Sequence, residues 1–409
     1  MMANHNGRNY RSLHLRPRHL TGLRGVYLAQ AIRNFAIALV GIYIPIYIFK
    51  LYYPDISKTL ALLAVISYFF LFEFSCLLAT IPVGRLVLKL GLKRSAVIGN
   101  VLLAVSIGTL MLASQSDLWL IASALADGLS IHFYWNCYHL TVVGRGDHQK
   151  FGSAVSNMGI IARLVSVAGP ALGGLIIALC GFPVLLSLAF VLILISSLPL
   201  ARVAADGNYR LAPAKFLLRR SRGEKFRKMF GALAGSNARA AVDVIVWPLF
   251  VFLLAAESYV KMGLITSGVL LISVVVVFLV GKLVARGGVR SDRRALTFGV
   301  VSESFVWIAK MTIQTLTQVF WWDALANILF SFQFVPFDTI VYEQLAAYPR
   351  PYEFIVMREL ALRLGGLFGL ASLLAVIGLG LPWTAAFVLV ALWPLLMLLV
   401  VKVGSQDGS

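Results

Sequence analysis

Arg33, Glu73, Asp127 and Arg163 stand inside apolar stretches long enough to cross a bilayer. A charge at the centre of a membrane costs on the order of 2.5–3.5 kcal/mol on insertion scales, so such residues pair with one another or handle something charged. Along helices rising about 1.5 Å per residue, Arg33 and Asp127 each fall roughly 13–15 Å from the interface where their span begins, near the midplane. Glu73 and Arg163 fall in the central third of theirs. Two acids beside two arginines allow two kinds of chemistry. A carboxyl whose surroundings change can take up and release a proton, and a guanidinium can hold an anion. The plainer alternative is a quartet that neutralises itself and fixes helix packing.

The stretch His132-Phe-Tyr-Trp-Asn-Cys-Tyr-His139 adds His132, Trp135, Asn136 and His139 on one helical face, suited to stacking on a solute or hydrogen-bonding it. For Tyr138 and His139 an interfacial aromatic belt is the alternative. In the second half Asn237, Arg239, Asp243 and Trp247 share one span. Arg239 with Asp243, and Glu359 with Arg363, are spaced to pair along a helix face, and Arg358 adjoins the latter pair. Asn327 and Gln333 contribute neutral polarity, and Asp338 lies deeper as a gate residue. Glu303 and Lys310 read as a helix-packing pair or a snorkelling end. The substrate and coupling cavity is therefore expected to draw on Arg33, its neighbour Asn34, Glu73, Asp127, His132, Trp135, Asn136, Arg163, Asn237, Asp243, Trp247, Asn327, Gln333 and Arg363. Two histidines without a third ligand do not make a metal site. Cys76, Cys137 and Cys180 fall within spans and read as small apolar residues. No nucleophile with a placed histidine and acid, no phosphate-binding loop and no sizeable soluble domain is visible. The reading is therefore not an enzyme, carries no cofactor, and draws on a gradient.

The elements that must position these residues are apolar helices. The chain of 409 residues is 60% hydrophobic and 13% charged, about half the charged fraction of soluble domains. The hydropathy pattern predicts an all-α polytopic membrane protein with twelve spans, at roughly 25–49, 59–84, 95–114, 118–143, 152–180, 183–201, 229–256, 262–281, 295–314, 317–345, 354–379 and 382–401. Of 36 Lys and Arg, 27 fall in the N-terminal tail, in alternate loops and at the C-terminal end. The opposite loops hold only Lys50, Lys58 and Lys261. This bias places both termini in the cytoplasm of a bacterial-type inner membrane. It assigns the formal charge of +19 to membrane orientation and anionic lipid rather than nucleic acid. Residues 1–24 form a basic tail, 25–201 a first six-helix bundle, 202–228 a cytoplasmic linker with an amphipathic segment, 229–402 a second six-helix bundle, and 403–409 a short tail.

The halves repeat one another. Near an offset of 200, ALADGLS at Ala124 matches ALANILF at Ala324, and Arg163 and Gly169 match Arg363 and Gly369. Asn34 and Pro45 match Asn237 and Pro248 at offset 203. At offset 197, GRLVLKLGLKR from Gly84 matches GKLVARGGVR from Gly281, each a basic, glycine-punctuated hairpin between the second and third spans of its half.

With these residues in view, the chain resembles the major facilitator superfamily over essentially its whole length. Gly84, Lys89, Gly91 and Lys93, and again Gly281, Arg286, Gly288 and Arg290, match the family's hairpin motif. Leu88 and Ala285 stand where that motif carries an acid, which in the family helps latch the cytoplasmic side. Gly169, Pro170, Gly173 and Gly174 in span five are similar to part of a motif of proton-driven drug exporters, with Ser156 and Val165 where its earlier glycines belong. The resemblance implies two pseudo-symmetric bundles rocking around a midplane site, with spans one, two, four and five bordering the cavity and span nine peripheral. The expected function is secondary active transport of a small organic or amphipathic solute by a monomer, as proton-coupled export. The alternatives are uptake or facilitated movement of an anionic metabolite, with Arg33, Arg163 and Arg363 holding it, translocation of a lipid-linked substrate, and a membrane scaffold that transports nothing.

Overall fold

The computed structural model describes residues 20–145, 164–200, 211, 223–348 and 350–402. Helices account for nearly all of them, because an apolar backbone inside a bilayer must satisfy its hydrogen bonds within its own segment. Nine helices among the described residues are long and apolar enough to cross a membrane. Three more spans follow from geometry. Asp117–Arg145 is 29 residues long and is span four, more polar than the others because it carries the histidine-rich stretch. The helix through Ala168–Leu200 breaks at Gly181 (φ 79°, ψ 173°), which separates spans five and six. Helical hydrogen bonding runs through Tyr259–Ala309. Yet Met262 and Thr266 near its start line the same cavity as Glu303 and Trp307 near its end. A straight helix would hold Met262 and Trp307 roughly 65–70 Å apart, so the chain turns back between them as spans eight and nine.

That reversal takes up no separate loop, since Tyr259–Ala309 is one helical run, and the side chains of Gly281, Arg286, Gly288 and Arg290 lie outside the described set. The first hairpin is also tighter than expected. Gly91 alone (φ 82°) separates Lys58–Leu90 from Leu92–Met111, so Lys89 and Lys93 sit in the flanking helical turns, exposed. Only glycine adopts that backbone angle without penalty. A second correction concerns span one, which is two helices, Leu20–Val40 and Ile44–Tyr52, divided by a turn at 41–43. Pro45 sits in the first turn of the second piece, where its missing N–H costs nothing.

The face opposite the basic hairpins, called here the far face, is where spans two, eight and ten begin. Ser57, Ser258 and Thr315 cap them, each hydroxyl accepting the backbone N–H three residues on. Each cap contributes about 1 kcal/mol. Packing repeats with the sequence. Gly169 of span five lies against Ala38 of span one, and Gly369 of span eleven against Ala238 of span seven. Gly99 of span three meets Tyr134 of span four, while Gly299 of span nine meets Phe332 and Gln333 of span ten. In both sets the glycines differ by 200 residues, and each permits the close backbone approach on which helix association in lipid depends.

Between the halves, span two packs on span eleven and span five on span eight. Near the basic face Tyr352 donates to the Gly84 carbonyl at 2.6 Å. Near the far face Tyr43, held to the Pro170 carbonyl of its own half at 2.6 Å, also donates to the Tyr259 carbonyl of the other at 3.3 Å, and Lys50 pairs with Glu257 at 2.9 Å.

Candidate functional site

Glu73 occupies the middle of Lys58–Leu90, and burial there leaves its carboxylate dependent on protein partners. Among the described residues, its hydrogen bonds come from the other half. The Asn237 amide donates to one oxygen at 2.9 Å, and the Arg363 guanidinium to the other at 3.1 Å. Arg363 also reaches Glu359 at 3.4 Å, and Glu359 accepts from Arg358 at 2.6 Å. Arg358 continues to His139 Nε2 at 3.2 Å, whose Nδ1 meets the Tyr342 hydroxyl at 2.7 Å. An alternating chain of acids and bases thus ties spans two, four, seven, ten and eleven together. Of the quartet expected from Arg33, Glu73, Asp127 and Arg163, Glu73 turns instead to this cross-half network. His139 belongs to it, not to an interfacial belt.

A second group of charges lines a cavity of ≈ 350 Å³ built almost entirely from the second half. Arg239 donates to Glu303 at 2.5 Å and lies 3.5 Å from Asp243, one helical turn on. Lys310 pairs with Asp323 at 2.8 Å, its ammonium 3.6 and 3.9 Å from the ring centres of Trp247 and Trp307. Asn327 lines the same wall and donates to the Asp323 carbonyl. Glu303 and Lys310, read from the sequence as a pair or as a snorkelling end, instead have separate partners and are fully buried. Trp307, Asp323 and Phe330 were not singled out at all. Their spans read as apolar, and no pairing partner lies within a helical turn of Asp323.

The remaining candidates divide. Arg33 is buried and lies 4.1 Å from the Tyr134 ring centre and 5.7 Å from that of Trp135. No carboxylate among the described residues comes within 4.0 Å of it, and its Nε has no partner. Asp127 attracts it from farther away and accepts from Ser130 at 3.2 Å. Asn34 accepts from Gln30, itself bonded to the Tyr134 hydroxyl. His132 turns toward span two, contacting the Cys76 carbonyl at 2.6 Å and Thr80 at 3.2 Å. Trp135 stacks on His139, while Asn136 is buried near the Tyr352 hydroxyl. Gln333 faces Met397 of span twelve, away from the cavity. Asp338 is half-buried near the basic end of its helix, within electrostatic reach of Arg358. Arg163 lies outside the described residues.

The sequence matches the Major Facilitator Superfamily over residues 26–345. The chain belongs to that superfamily. Among solved structures it is similar to the human organic anion transporter MFSD10 (TETRAN), with a TM-score of 0.68 at 14% identity over 95% of this chain and 100% of that one. It is also similar to the E. coli fucose:proton symporter FucP, with a TM-score of 0.66 at 12% identity over 93% and 98%. FucP in the outward conformation gives 0.67 at 13% identity over the same shares. No curated protein matches the sequence. At these identities the likeness is one of fold.

Superfamily membership makes this integral membrane protein a transporter, and it gives the two motif departures a setting. Leu88 takes the place of the hairpin acid and packs against the apolar core on the basic side. Beside it, the Tyr352 hydroxyl donates to the Gly84 carbonyl and joins the halves by a buried hydrogen bond. Gly173 and Gly174 of the exporter-like stretch face Leu39, Tyr43 and Tyr259, so spans one, five and eight meet there at backbone distance.

Proposed function

We propose that this transporter is a secondary active exporter of a small organic solute, driven by protons and working by alternating access between two bundles, residues 25–201 and 229–402. The reading rests on one observation above the rest. The Glu73 carboxylate, in the middle of its span, is held among the described residues by Asn237 and Arg363 of the other half. Rocking the halves apart strips a buried carboxylate of its partners, which costs several kcal/mol while it remains charged. A proton removes that cost. Protonation of Glu73 therefore releases Arg363 and permits the halves to part, and deprotonation draws them together again. The solute occupies the cavity beside Trp247 and Asp243, whose volume falls within the range of small-molecule sites. Contacts between the halves near both faces, Tyr352 to Gly84 and Tyr43 to Tyr259, fit an intermediate with the site shut on either side. The charge bias supports a cytoplasmic basic face, and the likeness of Gly169–Gly174 to the exporter motif supports export as the direction.

The test is solute movement in proteoliposomes under an imposed pH gradient. With Glu73→Gln, gradient-driven accumulation is expected to fall to the passive level while exchange of solute across the membrane persists. Accumulation at the wild-type level would overturn the coupling role. One observation favours a second reading. Arg33 is a buried cation without a carboxylate in contact, and a carrier for an anionic metabolite would use it to hold the anion. Under that reading, Arg33→Gln abolishes binding of the solute itself.

A further inference from the structure

The charges around the second-half cavity do not balance. Spans seven, nine and ten supply three carboxylates, Asp243, Glu303 and Asp323, against two cations, Arg239 and Lys310. Asp243 feels each of the other four, and these five are the charged residues that line the cavity among the described residues. Span eight contributes Met262, Thr266 and Val269, and span one contributes Ile42, none of them charged. The surplus is one negative charge in a site walled by Trp247, Trp307 and Phe330. Such a charge is expensive where water is scarce, and it is neutralised either by a proton or by a bound cation.

The geometry shows which group carries the surplus. Glu303 holds Arg239 at 2.5 Å and Asp323 holds Lys310 at 2.8 Å, whereas Asp243 is 3.5 Å from Arg239. The Asp243 side chain is also the most exposed of the three, at 26% against 1% and 11%. One oxygen of Glu303, Oε2, is sealed in this wall without a hydrogen-bond partner, a further sign of unfilled demand for positive charge. The walls already accommodate cations of the protein's own. The Lys310 ammonium lies between Trp247 and Trp307, and the Arg239 guanidinium stands 4.7 Å from the Phe330 ring centre. Indole faces and a carboxylate together favour an ammonium group over a neutral or anionic one.

We propose that the cavity binds an organic cation whose ammonium pairs with Asp243, and that this cation exchanges there for one proton. When the solute is absent, protonated Asp243 balances the site. When the solute binds, its fixed positive charge replaces the proton, which leaves to solvent, so the total charge is unchanged. The inference rests on reading this cavity as the solute site, and it narrows the substrate of the exporter to amines and quaternary ammonium compounds small enough for ≈ 350 Å³.

The test uses the purified full-length protein with benzyltrimethylammonium and, as a probe of similar size and opposite charge, benzenesulfonate. Titration calorimetry in buffers of different ionisation enthalpy reads both affinity and proton release. Benzyltrimethylammonium is expected to bind with release of close to one proton, and benzenesulfonate not to compete with it. Asp243→Asn balances the site at two charges of each sign, so the variant should fold. It should bind the cation about tenfold more weakly or worse and release no proton. Binding of benzenesulfonate in competition, or no binding of the cation at millimolar concentration, overturns the proposal on the wild-type protein alone. Unchanged affinity in Asp243→Asn overturns it as well. If the cation fails to bind while pH-driven transport of another solute still depends on Glu73, this inference fails and the proton-driven exporter stands. If the cation binds and Glu73→Gln transports normally, the reverse holds.

Discussion

Arg33 and Arg363 are both buried, yet only Arg363 holds a carboxylate. That difference is measurable in a pair of double-mutant cycles read by unfolding in detergent. Glu73→Gln with Arg363→Gln should show a coupling of about 1–3 kcal/mol, because each single change leaves a buried charge or donor without its partner. Arg33→Gln with Asp127→Asn should couple by less than about 1 kcal/mol, since their charges interact across a gap and no hydrogen bond joins them. Strong coupling in the second cycle would place the functional pair in the first half after all. The sequence made all four of these residues legible as special, because a charge in an apolar run costs free energy and is therefore conspicuous. Their partners were not legible. Helical spacing reveals neighbours three or four residues apart, as for Arg239 and Asp243, but Glu73 meets Arg363 at a separation of 290 residues. The wall of Lys310, Trp247 and Trp307 was hidden for the same reason, being assembled from two different spans.

At the scale of the helix, the glycines of spans two and five make different demands. Gly91 adopts φ 82°, which costs a side chain roughly 1–2 kcal/mol, so Gly91→Ala should lower the unfolding temperature while leaving solute binding intact. Gly174 has an ordinary helical backbone, but a methyl group there would overlap the Tyr259 carbonyl and the Tyr43 hydroxyl. Gly174→Ala should therefore spread spans one, five and eight and reduce transport more than it reduces thermal stability. Equal effects of the two changes on transport would show that the crossing is not a working contact. Both glycines could be picked out in the sequence by motif and periodicity. The division of span one at 41–43 could not, because Gly41 and Pro45 sit in an unbroken apolar run. What fixes the turn is the Tyr43 hydroxyl reaching spans five and eight, a contact with no local trace.

At the scale of the whole molecule, the contacts near the two faces differ in strength. Near the far face Lys50 and Glu257 form an exposed pair, worth at most about 1 kcal/mol and weakened by salt. Near the basic face the halves are joined by buried hydrogen bonds of Tyr352, Tyr342 and His139. Tethering Lys50→Cys to Glu257→Cys with a reducible bifunctional linker, after replacement of the exposed Cys180, should arrest transport, and a reductant should restore it. Full turnover with the tether in place would mean that these two loops need not separate. The single-residue link at Gly91 carries a further consequence. A helix of 33 residues and one of 20 joined by one residue have no slack between them. Their basic-side ends therefore cannot part from one another. When Glu73 lets go of Arg363, span three must swing with span two, so a spectroscopic label on span three would report events at the Glu73 carboxylate without touching it.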